Sequence, residues 1–234
     1  MPASDDGLLF VYADLGPKVK EVDFNDWYDN EHAPARLTVP GFSTAGRYKA
    51  VDTQPPSWLA LYDITSPEVI QSDAYKALSA QASSTEKEII SCLSTLSRRV
   101  YTRFATFESP TLSTDSFPSK FVLVVGFEPT RDREEEMNAW YANEHLELLS
   151  KVPGFLRARR YRLVSSVELA GNPDEKAKAP VPFPYLTLYE WETDAYATTP
   201  EFKDAISTPW SVKVMGELVR SELRLFALHK SFSK

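Results

Sequence analysis

Cysteine and glycine are scarce in this chain of 234 residues, and each scarcity excludes a class of site. The single cysteine, Cys92, rules out a disulfide framework and a cysteine-based metal cluster, which favours a reducing compartment. The eight glycines include neither a glycine-rich phosphate loop nor a dinucleotide fingerprint. No Ser-His-Asp or Cys-His signature of nucleophilic catalysis is visible.

An excess of positive charge and long apolar runs are also missing. The net charge of −7 and the pI near 5.1 disfavour nucleic-acid and anionic-membrane partners, because both need clustered cations. No apolar stretch is long enough to span a bilayer, and the first residues lack the basic and apolar regions of a signal peptide. We therefore expect a cytoplasmic globular protein without membrane insertion.

The chain contains an internal repeat. Residues 24–42 and 137–155 match at ten of nineteen positions with a constant spacing of 113, and the matches include tryptophan and histidine. The identical pairs are Asn25/Asn138, Trp27/Trp140, Tyr28/Tyr141, Asn30/Asn143, Glu31/Glu144, His32/His145, Val39/Val152, Pro40/Pro153, Gly41/Gly154 and Phe42/Phe155. Such agreement in scarce residues indicates an ancestral duplication.

The spacing of later matches locates an insertion in the second copy. Arg47 recurs as Arg160 at the spacing of 113, whereas Leu59 recurs as Leu186 at a spacing of 127. The 14 extra residues fall at about 166–182, a stretch rich in Pro, Lys and Glu. We predict that it is a mobile surface loop that covers or borders the second copy's cavity. The predicted organisation is a first repeat at 1–108, a linker at 109–119 and a second repeat at 120–234.

The order of elements in each copy predicts the fold class. Apolar periodicity gives a strand, a helix, two strands, helical segments and a last strand. This order is typical of a ferredoxin-like α+β unit, a four-stranded antiparallel sheet with helices on one face. Because each sheet would leave its other face bare, we expect the two repeats to pack as an intrachain dimeric α+β barrel. One chain would then be a pseudo-dimer, and further oligomerisation is possible.

The duplicated motif resembles a known family. The stretch from Trp27 to Pro34, followed by the Val-Pro-Gly-Phe turn, is similar to the first helix and turn of the EthD-like branch of the dimeric α+β barrel superfamily. The second copy departs from the pattern, because Glu147 stands at the position of Pro34. The resemblance implies a small hydrophobic or aromatic metabolite as ligand. Relatives include decarboxylases, cyclases, isomerases and cofactor-free monooxygenases, and other branches bind haem.

The two repeated histidines are the candidate catalytic residues. The resemblance implies that His32 and His145 point into cavities between helix and sheet, where an imidazole can act as acid or base. The alternative is a structural role in holding the helix. Tyr28 and Tyr141 lie four residues earlier on the same helix face, so they are candidates to hydrogen-bond the ligand, with core packing as the alternative. We expect no metal and no other cofactor, since the two histidines belong to different sheets.

Four further residues are candidates for substrate binding. Trp27 and Trp140 would line the cavities, with packing as the alternative use. Arg157 and Arg159 occur only in the second copy, where they would suit a carboxylate or phenolate unless that strand face is solvated. Glu31, one position before His32, lies about 100° around the helix, which disfavours a direct pair between them. It would instead pair with an arginine such as Arg47, or face water.

Two hypotheses about function follow. The first is a cofactor-independent enzyme that binds a small aromatic or polyketide-like metabolite and catalyses decarboxylation, cyclisation or isomerisation by proton transfer. The second is a non-catalytic ligand-binding or accessory protein with the same cavities. A haem-binding barrel is a third, more distant alternative.

Overall fold

The computed structural model describes residues 6–110, 112, 117–170 and 181–234. The strands are β1 (Gly7–Asp14), β2 (Phe42–Ala50), β3 (Trp58–Ile64), β4 (Thr95–Glu108), β5 (Phe121–Pro129), β6 (Phe155–Glu168), β7 (Tyr185–Trp191) and β8 (Leu218–Ser233). The α-helices are α1 (Glu21–Trp27), α2 (Ala33–Leu37), α3 (Asp73–Ala80), α4 (Ser84–Cys92), α5 (Glu134–Trp140), α6 (Leu146–Leu149), α7 (Pro200–Ser207) and α8 (Pro209–Gly216). The predicted α+β class is confirmed.

The chain divides into two compact units that do not coincide with its two halves. The second unit comprises Phe104–Tyr161 and Phe183–Ala227, and the first contains the rest. This differs from the predicted boundaries at 108 and 120, because β6 and β8 are long strands whose carboxyl-terminal ends belong to the first unit.

Each unit is built on four antiparallel strands in the same order. The first sheet runs β4-β1-β3-β2 and the second runs β8-β5-β7-β6. The registers correspond: Leu9 lies opposite Tyr62 in the first sheet, and Leu123 lies opposite Tyr189 in the second. These registers align the two copies beyond the duplicated motif.

Each unit has its own buried apolar core between helices and sheet. In the first, Leu9 and Val11 of β1 pack with Phe24 and Trp27 of α1. Residues from α5, the turn after it, β5 and β7 form the corresponding core of the second. Within the described part of the chain, no helix combines the length and apolar character needed to cross a membrane.

A π-helical turn interrupts the first helix of each unit at the duplicated motif. It covers Tyr28–His32 between α1 and α2, and Tyr141–His145 between α5 and α6. The wider turn brings residues four apart into contact, so the ring centroids of Tyr28 and His32 are 4.7 Å apart. Turns of this kind are rare and occur frequently at functional sites.

The predicted turn after this helix is present in both copies. Gly41 and Gly154 have φ angles of 95° and 83°, values that residues with a Cβ atom rarely adopt. The turn redirects the chain from α2 into β2, and from α6 into β6. The helix carrying each histidine is thereby fixed against the sheet.

Candidate functional site

A cavity of about 460 Å³ in the first unit brings His32 together with several charged side chains. Its apolar wall comes from both sheet and helices: Leu9, Val11, Leu78, Ile90, Leu96 and Leu169. Its polar wall contains His32, Arg36, Tyr62, Tyr75, Glu86, Lys87 and Arg98. A mostly apolar cavity of this size with a few polar groups is the usual form of a small-molecule site.

His32 forms a buried pair with a carboxylate from another helix. Its Nδ1 lies 3.1 Å from Oε1 of Glu86, and His32 and Glu86 are only 6% exposed each. Glu86 is positioned by the start of α4, where the Ser83 hydroxyl accepts the Glu86 N–H at 3.0 Å. Because an ionised carboxylate only accepts hydrogen bonds, it selects the Nδ1–H tautomer of His32. The nitrogen left for a ligand is Nε2.

Arg36 holds both members of this pair. Its Nη2 lies 3.5 Å from Oε1 of Glu86, and its Nη1 donates to the carbonyl oxygen of His32 at 3.0 Å. Arg36 lies four residues after His32 and continues the same helical face. The guanidinium thus places a positive charge beside the buried carboxylate.

The environment determines the charge state of the pair. Burial lowers the pKa of His32 from 6.5 to about 3, and the charge of Arg36 adds to this effect while Glu86 opposes it. Burial opposes ionisation of Glu86, but its contacts with His32 and Arg36 outweigh burial and hold its pKa well below the usual range. Near neutral pH the site therefore contains a neutral imidazole, an ionised carboxylate and a guanidinium.

Two buried tyrosines lie beside the imidazole. The Tyr62 hydroxyl, on the cavity wall, donates to the Tyr28 hydroxyl at 3.2 Å. Burial raises the pKa of both Tyr28 and Tyr62, so both phenols stay protonated. Trp27 packs against His32 with ring centroids 4.5 Å apart. The structure thus brings three of the predicted residues, His32, Tyr28 and Trp27, into one cluster.

The predicted ion pair between Glu31 and Arg47 is wrong. The Arg47 guanidinium binds Asp29 and, at 2.8 Å, the side-chain oxygen of Asn25, rather than Glu31. It also lies over the Tyr28 ring at 4.4 Å. Its second-copy counterpart behaves alike, because Arg160 binds Asn138 at 3.0 Å and lies 3.6 Å above the Tyr141 ring. Both arginines therefore support the tyrosines.

The second unit surrounds its histidine differently. His145 stacks on Trp140 at 4.0 Å, and burial lowers its pKa to about 3. Trp140 donates to the Ser211 hydroxyl at 3.1 Å. Ser211 occupies the position of Glu86, because Thr208 accepts its N–H at the start of α8 as Ser83 does in α4. Among the described residues, no carboxylate pairs with His145 as Glu86 pairs with His32.

All the charged residues of the first cavity are replaced in the second copy. Arg36 corresponds to Leu149 at the spacing of 113, and Lys87 corresponds to Val212 one position after Ser211. The register of β1 with β4 and of β5 with β8 pairs Arg98 with Leu223, since Leu9 faces Val100 and Leu123 faces Leu225. The corresponding pairs are Arg36/Leu149, Glu86/Ser211, Lys87/Val212 and Arg98/Leu223.

Arg157 and Arg159 do not come together with His145. Both bind Glu190, at 2.5 Å and 3.2 Å between Nε and Oε2. Glu190 alternates along β7 with Tyr189 and Trp191, which belong to the core beneath the helices. Strand alternation thus places the two arginines on the sheet face away from His145.

Leu169, in the described part of the insertion, borders the first cavity, whereas the sequence predicted that the insertion borders the second. The Leu169 side chain lines the first cavity, and its N–H donates to the Leu96 carbonyl at 3.0 Å. Glu168 accepts the N–H groups of Leu96, at 2.6 Å, and Ala170, at 3.2 Å. The strand β6 extends far enough to carry these residues into the first unit. Residues 171–180 lie outside the described part.

Sequence reasoning missed Glu86, Arg36 and Arg98. A signal for Glu86 was available, because Ser83 followed three residues later by Glu86 is a capping-box pattern that fixes the start of a helix. The pairing of α4 with the helix carrying His32 depends on tertiary packing and leaves no local pattern.

Comparisons with solved structures identify the fold. An anthrone oxidase-like protein is 12% identical, with a TM-score of 0.63 over 97% of this chain and 92% of that chain. A candidate monooxygenase of Fusobacterium nucleatum is 12% identical, with a TM-score of 0.60 over 100% of this chain and 96% of its own. Chlorite dismutase of Candidatus Nitrospira defluvii is 9% identical, with a TM-score of 0.59 over 97% and 92%.

Sequence comparison adds no relative. No family model matches the chain, and no curated protein matches its sequence. At identities of 9–12%, the structural likeness establishes the fold and not the activity. The likeness shows that the chain shares the α+β fold of these three structures.

Proposed function

We propose that the protein is a cofactor-independent enzyme that abstracts a proton from a small aromatic or polyketide-like metabolite in the first-unit cavity. The observation that carries this proposal is the buried pair of His32 and Glu86 on the wall of a 460 Å³ cavity. A carboxylate that orients a histidine, whose other nitrogen meets the substrate, is a recurrent arrangement in acid–base catalysis.

In the proposed mechanism, His32 is the general base. Glu86 fixes the Nδ1–H tautomer, so Nε2 accepts the substrate proton. The low pKa of His32 keeps it unprotonated and ready before substrate binds. When the proton arrives, the Glu86 carboxylate and the new negative charge on the substrate stabilise the imidazolium. When substrate binds, the hydrogen bond between the two tyrosines reverses: Tyr28 donates to Tyr62, and the Tyr62 O–H turns to donate to the developing enolate or phenolate oxygen.

The internal duplication supports a functional use of these charges. The second unit keeps the helix, the π-turn and the histidine, yet it has Leu149 and Ser211 in place of Arg36 and Glu86. Burying charges is costly, and the second copy forms the same elements without them. We propose that His145, Tyr141 and Trp140 have a structural role, so that the chain has one active site built on a fused pair of ferredoxin-like repeats.

The fate of the deprotonated substrate defines the reaction. Cyclisation and isomerisation can proceed from such an anion, whereas decarboxylation forms an enolate of the same kind by loss of CO₂, and that enolate then takes up a proton. A second candidate is oxygenation, which the likeness to an anthrone oxidase-like protein favours. In that reaction the anion would reduce O₂, a CH₂ carbon would become a carbonyl, and one water would be released. The non-catalytic alternative is a binding or accessory protein that uses the same cavity.

Deuterium exchange tests the proton transfer at carbon that these reactions share. Anthrone has an acidic CH₂ group, and its exchange in D₂O under nitrogen can be followed by proton NMR. We expect wild-type protein to accelerate exchange by at least about 10²-fold over buffer, and His32→Gln to lose this acceleration. The matched control is His145→Gln, which should retain it. A second incubation in air reports oxygenation as anthraquinone formation.

Two results would contradict the proposal. Exchange at the buffer rate with wild-type protein, in the presence of demonstrated anthrone binding, would favour the non-catalytic alternative. Equal loss of exchange in His32→Gln and His145→Gln, at unchanged melting temperature, would contradict the assignment of the site to the first unit.

A further inference from the structure

The first-unit cavity has more cationic than anionic groups. Arg36, Lys87 and Arg98 line it, against one carboxylate, Glu86. That carboxylate is already engaged by His32 and Arg36. The cavity therefore carries a positive balance in a protein whose net charge is −7.

Arg98 is the cation best placed to meet a ligand. It is half-buried on β4, in contrast to Lys87, whose side chain is exposed. Its guanidinium donates to the Tyr75 hydroxyl at 3.3 Å and lies 5.7 Å from the Tyr75 ring centroid. Among the described residues, no carboxylate forms an ion pair with it. A guanidinium that is held on a cavity wall by one contact with a hydroxyl group keeps most of its N–H donors for an anion.

The second unit changes both members of this arrangement. Tyr75 corresponds to Phe202, because Ser72 and Thr199 cap the starts of α3 and α7 in the same way. Arg98 corresponds to Leu223 by strand register. The second copy thus has phenylalanine and leucine where the first has Tyr75 and Arg98. The same copy has Ser211 at the position of Glu86. The fold does not require Arg98 at this position.

We infer that the ligand of this cavity is an aromatic carboxylate, and that Arg98, held by Tyr75, binds its carboxylate group. A planar guanidinium binds a carboxylate through two parallel hydrogen bonds, which fixes the orientation of the ligand as well as its charge. The inference rests on the proposed function for the location of the site. It adds the class of substrate and a specificity-determining residue.

A matched pair of ligands tests the charge requirement. We would measure binding of 1-hydroxy-2-naphthoate and of its uncharged amide, 1-hydroxy-2-naphthamide, by isothermal titration calorimetry. The wild-type protein should bind the carboxylate at least about tenfold more tightly than the amide. Arg98→Leu, which reproduces the second copy, should abolish this preference while leaving amide binding within about threefold. Arg98→Lys should keep part of the preference for the carboxylate. Arg131 is exposed, so Arg131→Leu is the control for the change in net charge.

The outcomes separate this inference from the proposed function. Equal binding of both ligands by wild-type protein, or binding of neither, would overturn the inference. A preference retained in Arg98→Leu would show that another cation provides it, which also overturns the role of Arg98. None of these results depends on turnover. If anthrone exchange requires His32 but the protein shows no preference for the carboxylate, the proposed function stands and this inference fails.

Discussion

Replacing Glu86 by Gln is the sharpest test of the proposed catalytic pair, His32 and Glu86. The amide has nearly the same size as the carboxylate, so the cavity keeps its shape while the charge beside His32 is removed. The amide group can also present its NH₂ to Nδ1, which would select the wrong tautomer of the imidazole. Both effects weaken His32 as a base.

The structure indicates the magnitude of each effect. Loss of the orienting carboxylate should slow the proton exchange by about 10²–10⁴-fold. Stability should fall by about 1–3 kcal/mol, because the buried carboxylate meets both His32 at 3.1 Å and Arg36 at 3.5 Å. For a chain of this size, each kcal/mol lowers Tm by about 2–4 °C. The Glu86→Gln variant should therefore remain folded at 25 °C.

The assay measures proton exchange and thermal unfolding on the same preparations. Glu88→Gln is the matched control, since Glu88 lies on the same helix with its side chain exposed, and it should leave both quantities unchanged. Loss of stability in Glu86→Gln with full exchange activity would refute the reasoning, because it would give Glu86 a purely structural role.

Two further predictions concern stability. Because the pKa of His32 in the folded chain is about 3, below its ordinary value of 6.5, the unfolded chain takes up a proton first as the pH falls, and stability is lost in this range. Denaturant titrations between about pH 4 and 6 give the free energy of unfolding as a function of pH, and its slope should be shallower in His32→Gln than in the wild-type protein by roughly 1.4 kcal/mol per pH unit. Equal slopes in the two proteins would contradict a buried neutral histidine. Glu168→Ala should lower stability by about 1–2 kcal/mol, because it removes the acceptor for Leu96 and Ala170, and chemical denaturation showing no change would place the segment outside the core.

The sequence predicts much of the fold because the duplication makes each element visible twice. The helix carrying Tyr28 and His32, and the Gly41 turn after it, are local patterns that follow from helical spacing and glycine conformation. The π-turn itself is not predictable in this way, because it depends on packing of the helix against the sheet.

The candidate site is less predictable than the fold. His32 stands out because it recurs as His145, but its partner Glu86 is far along the chain and lies on another helix. Recurrence also misleads, since it favours features common to both copies, whereas the charges of the cavity are those that the copies do not share. Arg157 and Arg159 also occur in only one copy, which made them candidates for ligand binding. In the structure they pair with Glu190 on the sheet face away from His145.

A crystal structure with bound 1-hydroxy-2-naphthoate tests the central claim, a single functional site in the first unit, most directly. The account predicts ligand density in the cavity beside Glu86, with the carboxylate on Arg98 and the ring hydroxyl within hydrogen-bond distance of Nε2 of His32. Ligand density at His145 with an empty first-unit cavity would contradict it.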